Sequence, residues 1–301
     1  MKKHIDVVLV TYNRVKLLKE CIDSLLLQRE NISSIFVINN NSTDGTSTFL
    51  KQFKDSKIVI VDNLKENIGG AARFEYGVKR ATEKGNGDYV WIMDDDTIPE
   101  VNASSALLES AHKLNDHFGF LCSNVRWTDG GATNIPHVSF DWPKKINEGL
   151  VKVEAATFVS VLVPKINIFN LGCPLGEMQI WGDDTEYTTR LSQYSDSYFV
   201  LNSFVTHKTK YNLMRDTLKN IEPNRIVRFK AMYRNLMYVK RHYAGKKDVL
   251  KMSVRNVITG VGALTAKNHK LKRFNAAIVG TWNGFFFNPK VEIPEKNVKG
   301  D

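Results

Sequence analysis

Three consecutive aspartates, Asp94-Asp95-Asp96, close an apolar run that begins at residue 89. Three carboxylates at the end of a buried strand repel one another, and a bound divalent cation is the simplest relief. Side chains alternate along a strand, which puts Asp94 and Asp96 on one side and Asp95 on the other. Hard oxygen donors of this kind suit Mg2+ or Mn2+ bridging a diphosphate. A second acidic pair, Asp183-Asp184, stands inside Trp181-Gly182-Asp183-Asp184-Thr185-Glu186-Tyr187. Adjacent carboxylates can raise one another's pKa, which favours one of them as a general base. His207 follows Thr206 at the end of a further apolar run. Each feature alone also has a plain structural reading: a solvated acidic turn, a helix start whose acids complement the dipole, and a histidine that binds nothing.

The first 125 residues alternate strand and helix patterns. Ile5–Val10, 34–39, 58–61 and 88–93 read as short buried strands, and 15–27, 46–53 and 70–84 carry helical spacing. That order implies a doubly wound, mostly parallel α/β sheet. Ligands of such sheets bind beyond the carboxyl ends of the strands. The segments 11–14, 39–44, 63–70 and 94–97 lie at those ends and should converge on one crevice. In the second of them, Asn40 to Gly45 is turn-rich. Asn67-Ile68-Gly69-Gly70-Ala71-Ala72-Arg73 opens a helix with small residues, which lets backbone N–H groups approach an anion. Farther on, a Gly-Gly turn at 130–131, one strand over 155–163 and another over 198–205 are expected.

Together these loops resemble family 2 of the inverting glycosyltransferases, with the GT-A fold. The pieces are Val10-Thr11-Tyr12-Asn13-Arg14, the run from Ile38 to Thr46, Asn67-Ile68-Gly69-Gly70-Ala71, and Trp91-Ile92-Met93-Asp94-Asp95-Asp96-Thr97-Ile98-Pro99. The resemblance covers about residues 5–210. It implies an enzyme in which a nucleotide-sugar donor gives its sugar to a glycan hydroxyl. Thr11, Asn13, Asn40 and Asn67 are then expected at base and ribose, with Arg14, Gly69 and Gly70 beside them, Asp95 at the ribose and Arg73 at the diphosphate. Asp94, Asp96 and His207 would hold the metal. Asp184 matches the general base, flanked by Asp183, and Trp181, Glu186 and Tyr187 are expected to meet the acceptor. Asn39 departs from the aspartate that many relatives carry. The two acidic motifs are most similar to those of bacterial galactofuranosyltransferases, which implies UDP-galactofuranose as donor, with dTDP-rhamnose the alternative within the family.

The resemblance, with the helical and basic pattern that follows it, divides the chain into residues 1–215 and a helical, basic region at 216–301. The first part comprises a nucleotide-binding half (1–125) and an acceptor half (126–215). The charge is split likewise. The net charge of +10 arises from residues 201–301, which hold 21 Lys and Arg against 6 Asp and Glu, a net of +15. Basic helices of this kind suit an anionic membrane surface, with Trp282 and Phe285–Phe287 as interfacial anchors, and a lipid-linked acceptor. The apolar stripe Ile226, Phe229, Tyr233, Leu236 and Met237 is equally compatible with a partner subunit, a homo-oligomer included. Nucleic-acid binding would explain the basic charge and leave the acidic triplet unexplained. A sugar nucleotidyltransferase would want a glycine-rich basic loop after the first strand, where Thr11-Tyr12-Asn13-Arg14 stands. Three scattered cysteines support neither a disulfide framework nor a zinc site. The N-terminus shows no signal peptide, and the longest uncharged stretch, Phe274 to Pro289, is too short to span a bilayer. A cytoplasmic enzyme, at the inner face of the cell membrane, is the expectation.

Overall fold

The computed structural model describes residues 2–209 and 217–296. Strands β1 (Ile5–Thr11), β2 (Ile32–Asn39), β3 (Val59–Asn63) and β4 (Tyr89–Asp94) alternate with helices α1 (Val15–Leu26), α2 (Thr46–Leu50) and α3 (Gly70–Lys84). There follow β5 (Thr97–Pro99), α4 (Ala103–Lys113), β6 (Leu121–Trp127), β7 (His137–Val138), β8 (Leu150–Ala155), β9 (Val161–Pro164), α5 (Lys165–Leu171), α6 (Asp183–Tyr194) and β10 (Ser197–His207). All ten strands belong to one sheet, in the order β3-β2-β1-β4-β9-β6-β10-β8-β7, with β5 laid on β10. The first four strands run parallel, as expected. The other half is mixed: β6 and β10 are parallel, whereas β9 is antiparallel to both β4 and β6.

Alternation along β1 shows why the sheet is covered on both faces. Val7 and Leu9 join Leu18, Ile22 and Leu25 of α1 and Leu107 of α4 in one core. Val8 and Val10 join Phe74 and Val78 of α3, Ile168 of α5 and Leu191 of α6 in the other. A strand buried on both faces must be apolar throughout, which is why β1 reads as an unbroken run.

The expected strand over 155–163 is two strands. β8 pairs with β10 and β9 sits between β4 and β6. Between them the Ala156 N–H donates to Thr188 Oγ1 at 3.0 Å, drawing the chain off the sheet edge. His207 does not follow its strand but ends it, paired with Thr97.

Three long helices complete the described chain: α7 (Ile226–Tyr243), α8 (Lys246–Ala263) and α9 (Lys270–Phe286). Glycines let α9 lie directly on α7. A Cβ at Gly280 would stand 2.5 Å from the Lys230 carbonyl, and one at Gly284 would stand 2.5 Å from Met237 Cβ. Of the expected α7 stripe, Ile226, Phe229, Tyr233 and Met237 are buried and Leu236 is partly so. The three cysteines are buried thiols.

Candidate active site

The carboxyl ends of β1, β2 and β4, the N-termini of α3 and α6, and the end of β10 surround one cavity of about 590 Å³. Asp94, Asp95 and Asp96 form part of its wall, and Asp183, Asp184 and His207 form another part. The three sequence motifs therefore meet.

Two arginines and His207 hold the triplet, with Arg14 shared by Asp95 and Asp96. Asp94 pairs with Arg73 at 3.7 Å. Asp95, buried, accepts from the Tyr12 N–H at 3.4 Å and pairs with Arg14 at 3.3 Å. Asp96, also buried, is ion-paired with Arg14 through Oδ2 and faces His207 Nε2 through Oδ1 at 3.2 Å. The last contact follows from topology, because the pairing of His207 with Thr97 sets the imidazole beside the residue before it. Burial pushes the carboxyls of Asp94 and Asp95 up, with the charge of Asp96 adding to both. Burial acts on Asp96 too, but the hydrogen bond and charge of His207, with Arg14, outweigh it and hold that group below the usual carboxylate range.

His207 is oriented from behind. Its Nδ1 lies 2.8 Å from Asn134 Oδ1, and Asn134 Nδ2 donates to Thr157 Oγ1 at 3.2 Å. With the amide placed so, Asn134 Oδ1 accepts from Nδ1–H, and Nε2 is turned toward the Asp96 carboxylate. Nε2 and Asp96 Oδ1 lie within hydrogen-bonding reach, a contact that a proton on Nε2 would fill. A metal cation in place of that proton would meet an imidazole, a carboxylate and a neighbouring second carboxylate, a donor set that suits Mn2+ or Mg2+. Among the described residues, no three acidic, histidine or cysteine side chains already converge as a closed metal cage.

The donor-side loops are clipped together by asparagines. Asn40 Nδ2 donates to Asn67 Oδ1 at 2.9 Å and to the Gly69 carbonyl at 3.3 Å, while its Oδ1 accepts from the Ile68 N–H at 3.0 Å. Asn40, Asn67, Gly69, Gly70, Arg14 and Arg73 all line the cavity. Thr11 and Asn13 do not. Thr11 is buried in β1, and exposed Asn13 accepts from the Thr43 N–H at 2.7 Å, tying one strand-end loop to the next. Asn39 donates to Asn63 Oδ1 at 2.7 Å and accepts from the Ser42 N–H at 3.1 Å.

On the opposite side, Gly182 caps α6 at φ 99°, a left-handed conformation that glycine tolerates. Asp183 and Asp184 form the first turn. Burial pushes both carboxyls up, in Asp183 with the charge of Asp184 added, and in Asp184 against the pull of the Thr185 N–H at 2.7 Å. Trp181 lines the cavity with its ring edge-on to Phe229 at 5.3 Å and the Arg225 guanidinium 5.8 Å from its centre. Glu186 and Tyr187, expected at the acceptor, turn inward instead. Glu186 is fully buried, paired with Arg190 at 2.8 Å and bonded by the Tyr243 hydroxyl at 2.6 Å. Tyr187 is equally buried, packed against Phe158. They lie one helical turn beyond Asp183 and Asp184, on the face that α6 buries.

The structure adds residues that the motifs did not reveal. Tyr12, Asn134, Thr157, Arg225 and Arg228 line the cavity. Asn134 lies in an irregular stretch with no periodic signal, and the two arginines belong by sequence to the basic C-terminal region.

A profile of the family described as "Glycosyl transferase family 2" matches residues 6–171. The poly-beta-1,6-N-acetyl-D-glucosamine synthase of Staphylococcus aureus (strain COL) is 28% identical over 122 residues, 40% of this chain and 28% of the relative. The synthase of the same name from Staphylococcus epidermidis is 27% identical over 122 residues, again 40% and 28% of the two chains. The match thus spans little more than a quarter of these curated relatives. In structure, the chain is similar to GalNAc-T7 solved with UDP, GalNAc and Mn2+, with a TM-score of 0.66 at 17% identity over 91% of this chain and 54% of that one. It is also similar to S. aureus TarS 1-349 in complex with UDP-GlcNAc, with a TM-score of 0.55 at 14% identity over 94% of this chain and 72% of the other.

Proposed function

The chain belongs to glycosyl transferase family 2, and from that premise we propose that it transfers a sugar from a nucleotide diphosphate donor to a glycan hydroxyl, with inversion at the anomeric carbon. The observation that carries this reading is the shared cavity, which sets the Asp183-Asp184 pair against the Asp94-Asp95-Asp96 triplet and His207.

In this reading the nucleotide lies along the Asn40–Asn67 clip and the N-terminus of α3, with Asp95 toward the ribose and Arg73 toward the diphosphate. Asp184, raised by burial, takes the proton of the acceptor hydroxyl. The acceptor oxygen bonds to the anomeric carbon from the side opposite the leaving group. The bond from that carbon to the phosphate oxygen breaks, and the nucleoside diphosphate departs with the electron pair. Asp183 beside the base, and Trp181 as a partly apolar wall, confine the acceptor. Asp96 and His207, with Asp94 close by, are the residues that would hold Mn2+ or Mg2+, which when bound would neutralise charge on the departing diphosphate. Thr11 and Asn13 support the strand-end loops rather than touch the donor.

For the donor, the two acidic motifs support UDP-galactofuranose. The UDP and UDP-GlcNAc named for the structural neighbours support a UDP-sugar more broadly. The acceptor in this reading is a lipid-linked or polysaccharide glycan. The two-part division at residue 215 serves it only in part, since Arg225 and Arg228 reach the cavity from the helical side.

The test is a panel of UDP-galactofuranose, UDP-GlcNAc, UDP-GalNAc and dTDP-rhamnose with Mn2+, scored for nucleoside diphosphate release and glycan product. Full transfer by Asp184→Asn would defeat the reading.

A further inference from the structure

The helices α8 and α9 expose apolar side chains in stripes that the rest of the described chain leaves uncovered. On α8, Leu250, Val254, Val257, Ile258 and Val261 recur at helical spacing and are all exposed, Leu250 and Ile258 each at 66%. The opposite face of α8 holds the buried residues Met252, Asn256, Gly260 and Ala263. On α9, Leu271, Val279, Trp282 and Phe286 form the matching stripe, with Trp282 63% and Phe286 70% exposed. The two helices are locked by the Asn256 Nδ2 to Thr281 Oγ1 bond at 2.9 Å and by Gly260 against Ala277. Both stripes are turned away from these packed faces. Apolar side chains left exposed in stripes along two neighbouring helices of a folded domain mark a contact.

Charge identifies the occupant. Residues 246–286 carry eight Lys and Arg against one acid, Asp248. Every one of those cations but Arg273 is exposed. Two copies meeting through this face would bring like charges together, which disfavours self-association here. Apolar and aromatic side chains bordered by lysines fit the boundary between acyl chains and anionic headgroups. No helix among the described residues is long and apolar enough to cross a membrane. We propose that the α8–α9 face docks peripherally on an anionic lipid bilayer. This sharpens the anchors named from the sequence: Trp282 and Phe286 belong to the surface, while Phe287 turns inward, its ring 5.8 Å from Tyr238 and 4.0 Å from the Arg234 guanidinium. The α8 stripe is added.

Flotation of the full chain with vesicles tests the proposal. The protein should float with phosphatidylcholine vesicles containing about a third phosphatidylglycerol, and not with phosphatidylcholine alone, and added salt should weaken binding. Ile258→Ser with Trp282→Ser should lower partitioning roughly tenfold, and Lys246→Glu with Lys247→Glu and Lys251→Glu at least as much. Circular dichroism should show both variants folded, since all five side chains are exposed. The proposal is overturned if anionic vesicles leave the chain unbound, if either variant floats as the parent does, or if phosphatidylcholine alone binds equally well. A dimer in sedimentation velocity that Ile258→Ser with Trp282→Ser dissolves would also overturn it. None of these readouts depends on sugar transfer, so the proposal stands or falls apart from the proposed activity.

Discussion

Asn235 of α7, fully buried, donates its side-chain amide to the backbone carbonyl of Trp181 at 2.7 Å. The same nitrogen reaches the carbonyls of Met178 at 2.9 Å and Ile180 at 3.3 Å, and neighbouring Arg234 reaches Glu177 and Met178 at 3.1 Å each. The loop so held is contorted, with Gln179, Trp181 and Gly182 all at positive φ. It carries Asp183-Asp184 at its end, and its Gln179 carbonyl accepts from the Ala71 N–H at 2.9 Å, at the start of α3. A helix outside the sheet therefore positions both the proposed base and the proposed donor loop.

Asn235→Ala should take the side-chain donor from the Ile180 and Trp181 carbonyls, costing about 2 kcal/mol in stability. Because the loop then relaxes, turnover should fall about a hundredfold, more than Mn2+ affinity does. Thermal unfolding, transfer kinetics and metal titration on one preparation check this. Stability loss with unchanged turnover would leave Asn235 merely structural.

Asp184→Asn keeps the size of the side chain and removes its basicity. Transfer should drop about a thousandfold, with UDP affinity close to that of the parent. Steady-state kinetics beside UDP calorimetry separate the two. If Asp183→Asn produced the larger loss in kcat, the base assignment would pass to Asp183.

How much of this was legible in the sequence follows from range. β1, β2 and β4 are buried on both faces, so each writes itself as a local apolar run, and the aspartate triplet marks the end of the last. The meeting of His207 with Asp96 rests on β5 pairing with β10, about a hundred residues apart in the chain, and only the family resemblance implies it. The Asn134 support for His207 and the Asn235 clip left no local signal, because each acts through one hydrogen-bonding group in a segment read for other reasons. Glu186 and Tyr187 share the face of Asp183 but stand one turn deeper along α6, where that face meets the core instead of the cavity. On a helix, residues three and four beyond Asp183 face the core that α6 packs against.

Asn134→Ala should weaken Mn2+ binding about tenfold to a hundredfold, by freeing the imidazole of His207 to turn or change tautomer. His207→Ala should weaken it further, and chelation of the metal should abolish transfer. Calorimetry of Mn2+ into the UDP-loaded protein measures the first two. Equal affinity in all three proteins would remove His207 from the proposed metal site.

The acidic pair also sets a pH dependence whose sign can be worked out. Burial, with the charge of Asp184, raises the folded-state pKa of Asp183 to about 8, above the ordinary carboxylate value of about 4. Between those two values the folded protein holds a proton that the unfolded chain has lost, so stability falls as pH rises through that window. Asp183→Asn removes the titration. It should melt together with the parent near pH 4 and roughly 2–4 °C higher in weakly alkaline buffer without metal. Activity runs the other way. A raised Asp184 must lose its proton to act as base, so kcat/KM should climb with pH beyond the range where ordinary carboxylates have finished titrating. Melting curves from acid to weakly alkaline pH, set beside a pH–rate profile, check both. A rate already flat above about pH 5 would show that the cavity does not hold this base in its protonated form.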